Sequence, residues 1–327
     1  MLLGLLGTIF APSNAFAEKF NISATPIKWF KGQAIGKPVG TGLIWRGGLQ
    51  LKGNVPNFGG LSDLTIMSTN GGVAMVTDTG YLVAGQISYD QKGAPVAIQN
   101  ATIEPIKNSK GVKLPNLWSR DSEAIDTIYR NGEAVAVRIG FENLTRVADF
   151  ALLDGRPGGA AKDYIIPTWL TQQRNNWSIE SLCIAPPASP VAGSTLMIAE
   201  DVRNDKGNNR AWLSGKRDGG DLSVAAEGGF RPTGCAFTQA GDLLILYRDV
   251  GIFGFSMQLR KIAAAQVQAG QVLFGEKLLE ANGGDVDNME GLATHIGANG
   301  ETIISILSDD NFRGWERTLL LQFELVK

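Results

Sequence analysis

Short apolar runs alternate with turn-forming residues along the whole chain, and the alternation repeats. A polar position recurs at Ser62, Glu123, Glu180, Thr233 and Glu290. Two residues after each stands an apolar one: Leu64, Ile125, Leu182, Cys235 and Leu292. Successive members are 61, 57, 53 and 57 residues apart. A near-constant period of this size predicts a repeat architecture.

Each copy continues alike. A turn signal follows the first strand: Asn70-Gly71-Gly72, Asn131-Gly132-Glu133, Ala192-Gly193, Ala240-Gly241-Asp242 and Asn299-Gly300-Glu301. Here Gly and Asn supply the positive φ of hairpins. Mostly apolar runs come next, over residues 73–77, 134–139, 195–199, 243–247 and 302–307. Such runs predict strands buried on both faces. They end on Asp78, Glu142, Glu200, Arg248-Asp249 and Asp309-Asp310. Third strands are predicted over residues 81–89, 146–153, 253–259 and 318–325, and fourth strands over 96–106, 164–170, 222–226 and 272–279. Residues 257–267 have helical spacing and predict a short helix in the fourth repeat.

Four short strands per repeat predict a β-propeller, an all-β fold of radially arranged four-stranded blades. The last repeat has room for three strands only. The strand over residues 43–51 sits directly before the first repeat and is expected to complete the last blade, closing the ring and leaving no long edge. Five blades are favoured; six would need a blade without the signature, built on residues 22–30. A two-sheet β-sandwich does not explain the five-fold register. One domain is expected over residues 18–327.

The 327 residues are 44% hydrophobic and 19% charged, enough for a buried core. The 41 glycines suit many tight turns. A net charge of −2 gives no electrostatic footprint for nucleic acid. No hydrophobic run of the mature chain is long enough to span a bilayer. A small-molecule partner and a monomeric state are expected. Residues 1–17 form an apolar run closed by Ala15-Phe16-Ala17, an A-x-A cleavage pattern without a basic start. They predict a signal peptide and a periplasmic or secreted protein; the alternative is a buried N-terminal strand. Cys183 and Cys235 are the only cysteines. Export would allow a disulfide, but the two fall in adjacent columns, whose side chains point to opposite strand faces. Two buried thiols are therefore expected.

In a propeller the first strands surround the channel. Glu123, Glu180 and Glu290, with Ser62 and Thr233, should ring one mouth. Asp78, Glu142, Glu200 and Asp309 should lie farther out at the same mouth. So many carboxylates need a counter-charge or a proton. Ca²⁺ could bind them through oxygens, with Asp310 and Asn311 adding ligands. Arg120, Arg231 and Arg248 could pair with them or hold a substrate. One carboxyl could stay neutral as a general acid. The bland alternative is that each Glu caps backbone N–H groups of the next blade. His295 is the only histidine, and no G-x-S-x-G elbow exists. It reads as structural, so a hydrolase would rest on carboxylates and a metal.

The series Trp45-Arg46-Gly47-Gly48-Leu49, Gly59-Gly60-Leu61-Ser62, Thr77-Asp78-Thr79-Gly80, Arg120-Asp121-Ser122-Glu123-Ala124, residues 176–182 with Glu180, Asn288-Met289-Glu290-Gly291-Leu292 and Leu307-Ser308-Asp309-Asp310-Asn311-Phe312 resembles the bacterial "esterase-like activity of phytase" family over residues 42–325. The resemblance implies an exported propeller with a phosphoesterase-type site, and its motif carries over to Glu123, Glu180, Glu290, Asp309 and Asn311. Thr79 and Asn143 stand where the pattern leads one to expect arginines. The function expected is a metal-dependent phosphoric ester hydrolase using Ca²⁺. The alternatives are a non-catalytic ligand- or protein-binding propeller and a calcium-dependent lactone or small-ester hydrolase.

Overall fold

The computed structural model describes residues 17–175, 177–252 and 254–326. The expected leader lies outside these apart from Ala17. Five sheets of four or more strands form, one per repeat, beside a small two-stranded sheet of Trp29–Phe30 and Gln33–Ala34. In chain order their strands are named A to D, outward from the axis. Blade I is Leu61–Ile66, Gly72–Thr77, Tyr81–Tyr89 and Pro95–Pro105. Blade II is Ser122–Arg130, Glu133–Phe141, Arg146–Leu153 and Lys162–Tyr164. Blade III is Ile179–Ile184, Thr195–Arg203, Asn209–Ser214 and Gly220–Val224. Blade IV is Arg231–Phe237, Leu243–Gly251, Gly254–Ile262 and Glu276–Asn282. Blade V is Asn288–Ile296, Thr302–Asp309, Thr318–Leu325 and, from the other end of the chain, Leu43–Gly53. Each A strand packs against the next, and the fifth packs against the first. The protein is a five-bladed β-propeller.

The N-terminal region closes the ring. Leu43–Gly53 pairs with Thr318–Leu325, and Ile22–Ile27 adds a further antiparallel strand to it. Residues 22–30 therefore thicken blade V and build no sixth blade. Trp45, Phe30 and Phe323 stack with ring centroids 5.1 Å apart and seal this closure. Glu18–Lys19 joins the outer strand of blade I, so the N-terminus stitches two blades.

One irregularity recurs in all five blades. The A–B pairing slips by one residue between Leu61 and Asp63, Ser122 and Ala124, Ile179 and Ser181, Pro232 and Gly234, and Met289 and Gly291. The extra residue is the polar one every time: Ser62, Glu123, Glu180, Thr233 and Glu290. A bulge leaves its residue out of the ladder and re-aims its side chain. The apolar column beyond it is buried between blades: Leu64, Ile125, Leu182, Cys235 and Leu292.

Two aspartates, neither in the polar column, tie blades together. Asp63 of blade I accepts the N–H groups of Ile125 in blade II at 2.8 Å and Leu292 in blade V at 3.0 Å. Asp126 of blade II accepts the N–H of Ile184 in blade III at 2.7 Å and the Thr65 hydroxyl of blade I at 3.3 Å. Thr233 adds a bond to the Met289 carbonyl at 3.1 Å. These bonds staple neighbouring blades, and the Ser122 hydroxyl of blade II adds another to the Thr77 carbonyl of blade I at 2.6 Å.

Three expectations are corrected. Cys183 and Cys235 are joined in a disulfide. Their side chains do point to opposite strand faces, but the blades stack face to face, so opposite faces of neighbouring A strands meet. Residues 257–267 form the C strand Gly254–Ile262 and a short 3-10 turn, Ala264–Gln266, because both faces of the blade bury apolar residues and blur the strand period. The strand expected over 164–170 stops at Tyr164; Pro167, which has no N–H to give a ladder, starts a helical turn at Thr168–Thr171. No helix among the described residues is long and apolar enough to cross a membrane.

Candidate functional site: a carboxyl-lined channel mouth

A strands begin, and B strands end, at the same mouth. Register places the two polar sets side by side: Leu61 opposite Thr77, Ser122 opposite Phe141, Ile179 opposite Ala199, Arg231 opposite Arg248, and Asn288 opposite Asp309. The bulged Glu123, Glu180 and Glu290 thus meet Asp78, Glu142, Glu200 and Asp309. Asp121 and Asn288, two residues before the bulge in their blades, join them. That position is polar in four of the five copies (Asp121, Ser178, Arg231, Asn288), a signal readable in the repeat.

Arg248 sits at the centre of the blade III–V side. Its Nη1 donates to Glu290 Oε1 and, at 2.6 Å, to Asn288 Oδ1. Its Nη2 lies 2.9 Å from Glu200 Oε1 and 3.9 Å from Glu180 Oε1. Burial opposes this charge, but Glu290, Glu180 and Glu200 outweigh it and hold Arg248 above its ordinary pKa. Arg231 is more exposed. It reaches Asp201 at 3.3 Å and Glu200 at 3.8 Å and stacks over the Trp177 ring. Arg120 does different work: it donates to the carbonyls of Leu114 at 2.7 Å and Pro115 at 3.3 Å, and pins the loop before blade II.

Among the described residues the blade I–II side has no such cation. Burial first, and then Asp309 and Asp121, push Asp78 up to about 8. Burial, Asp121 and Glu200 push Glu142 up to about 9. Glu123 is raised well above its usual value by burial and by Asp121, Glu180 and Glu142. Asp121 is raised by burial, against hydrogen bonds from Glu123 and Asn143. Asp78 Oδ1 and Glu142 Oε1 are buried with no hydrogen-bond partner. Glu180 and Glu290 are also raised, by burial above all, although Arg248 pulls both down. Asp309 rises to about 6 through burial.

The 309–317 loop is largely self-contained. Asp309 accepts the Asn311 N–H at 2.7 Å, and Asn311 donates to Glu316 at 2.7 Å. Asp310 accepts from the Gly60 and Phe312 N–H groups and from the Thr318 hydroxyl. Asp310 and Asn311 thus use these groups to build the loop. His295 lies at the other end of its A strand, beside the Tyr89 hydroxyl at 3.5 Å, and burial lowers it to about 4.

Oxygen donors are plentiful, yet among the described residues no group of three or more His, Cys, Asp or Glu is placed to hold a metal ion.

The profile of the family described as "Phytase-like: Esterase-like activity of phytase" matches residues 56–312. The chain belongs to this family. The match starts later and ends earlier than the 42–325 span of the motifs, but it covers every bulged residue. No curated protein matches the sequence. Among solved structures, a PQQ-bound aldose sugar dehydrogenase from Streptomyces coelicolor is 11% identical, with a TM-score of 0.44, covering 82% of this chain and 95% of its own. An endo-arabinase from Bacteroides thetaiotaomicron is 11% identical, with a TM-score of 0.46, covering 80% of this chain and 93% of its own. These likenesses say nothing about activity.

Proposed function

We propose that this phytase-like propeller hydrolyses a small phosphoric ester at its carboxyl-lined mouth. The observation that carries the reading is the split among the bulged glutamates. Burial raises all three, but Glu180 and Glu290 share Arg248, which offsets part of that rise, whereas Glu123 has carboxyls around it and, among the described residues, no guanidinium. Environments that push like groups apart assign acid and base.

Glu123 then holds its proton and gives it to the leaving alcohol oxygen. Glu290 or Glu180 takes a proton from the attacking water. The phosphorus gains the water oxygen as its bond to the alcohol oxygen breaks. Arg231, more exposed than Arg248, is the cation assigned to a phosphoryl oxygen in this reading. Calcium is the proposed counter-charge carried by the motif resemblance. The carboxyl donors suit it chemically, but they do not converge on an ion position, so no step is routed through it. Export to the periplasm or beyond is supported by the Ala15-Phe16-Ala17 pattern and by the Cys183–Cys235 bridge, which an oxidising compartment would keep.

The test is turnover of phosphomonoesters, phosphodiesters and lactones by wild type and Glu123→Gln. Hydrolysis confined to phosphoric esters and lost in the variant supports the reading. Lactone turnover alone, or no turnover at all, would remove it.

A further inference from the structure

The mouth is electrostatically lopsided. Arg248 serves Glu180, Glu200 and Glu290, whereas Asp78, Asp121, Glu123 and Glu142 have no ion-pair partner among the described residues. Glu142 is 3% exposed, and its Oε1 is unpartnered and faces Asp121 and Glu200. A phosphate alone would add negative charge to this side.

An aromatic ring is held beside one of these carboxyls, that of Asp78. Asn311 and Phe312 both lie in the left-handed region, at φ 46° and 52°. That conformation is costly without glycine and persists only where surroundings impose it. Asp310 imposes it, by accepting the N–H groups of Gly60 at 3.0 Å and Phe312 at 3.1 Å. The ring rests on Gly59 and Gly60. A Cβ on Gly60 would lie 2.6 Å from the Phe312 ring and would collide with Asp78 Oδ1, so the ring and the unpartnered oxygen flank one glycine. Phe312 is still 47% exposed.

Carboxyl groups without a cationic partner, beside an aromatic face, suit a cation with apolar substituents. We propose that the blade I–II side of the mouth binds an organic ammonium group, its charge against Asp78 and Glu142 and its apolar face on Phe312. The corresponding substrate class, which rests on the phosphoric-ester reading, is a zwitterionic ester whose alcohol carries the ammonium group. Its phosphate then lies toward Arg231.

The experiment is a thermal melt and calorimetric titration of the full mature protein with choline, its uncharged isostere 3,3-dimethylbutanol, and Ca²⁺. Choline is expected to raise Tm and to bind, with the uncharged isostere inert. Phe312→Leu should weaken choline roughly tenfold, within the range of a desolvated cation–π contact. Glu142→Gln should weaken it at least as much, while Tm of the free variants stays near wild type or, for Glu142→Gln, rises. No choline shift, an equal shift with the isostere, or a response to Ca²⁺ alone would overturn the proposal. Choline binding without hydrolysis of any phosphoric ester would keep the ammonium site and remove the ester reading. Ester hydrolysis without choline binding would do the reverse.

Discussion

Arg248 crosses from blade IV to the Glu200 carboxylate of blade III at 2.9 Å, and its other nitrogen bonds Glu290 of blade V. One guanidinium therefore ties three blades and balances three carboxyls. Removing one partner of a buried charged network leaves the rest uncompensated, at a cost of about 3–5 kcal/mol. Arg248→Ala should lower stability by about that much at neutral pH, measured by chemical denaturation. Part of the loss should return at pH 5, where Glu180 and Glu290, both raised by burial, hold protons more readily.

The raised carboxyls fix how stability depends on pH. Asp78 titrates at about 8 folded against 3.8 in its ordinary state, and Glu142 at about 9 against 4.5. The folded protein binds these protons more tightly than the unfolded chain does. Their contribution to stability is therefore full at low pH and lost as pH rises from about 4 through 9. Melting in EDTA should show Tm falling from pH 5 to pH 9, and Glu142→Gln should flatten the upper part of that fall. A Tm that rises across the window would contradict the assignment of an uncompensated blade I–II side.

Asp63 accepts three N–H groups, those of its neighbour Leu64, Ile125 and Leu292, and holds three A strands together. Asp63→Ala would leave buried donors without acceptors, at about 1–3 kcal/mol each. The expected result is a destabilisation of about 3 kcal/mol or more. Asp63→Asn should be milder because one oxygen survives.

The Cys183–Cys235 bridge closes a loop of 52 residues between blades III and IV. Reduction, or the double Ser variant, should cost about 2–4 kcal/mol. Mass spectrometry of the alkylated protein purified without reductant should find no free thiol.

Much of this architecture is legible from Ser62, Glu123, Glu180, Thr233 and Glu290 alone. Their spacing gives the blade count, and a polar residue preceding a buried apolar one is what a bulge at a channel requires. The strand over 43–51 was legible as the missing fourth because the last repeat runs out of chain. What the sequence hides is contact between blades. Asp63 and Asp126 occupy positions that hold Ala, Ser, Thr, Cys or Gly in the other copies, so no column marks them. The disulfide is hidden for a related reason: strand parity fixes which face a side chain leaves, not which face of the next blade it meets. Arg120 and Arg248 also look alike in sequence, each beside an acidic residue, yet one binds loop carbonyls and the other the carboxyl ring.

The most direct test of the mouth as a hydrolytic site is the rate of phosphoric ester hydrolysis as a function of pH for wild type and Glu123→Gln. General acid–base catalysis predicts a bell-shaped profile for wild type. It predicts a kcat about 10²-fold or more lower in the variant with the acidic-side proton donor gone and Tm held. A folded wild-type protein with no turnover at any pH, or a Glu123→Gln variant with an unchanged profile, would contradict it.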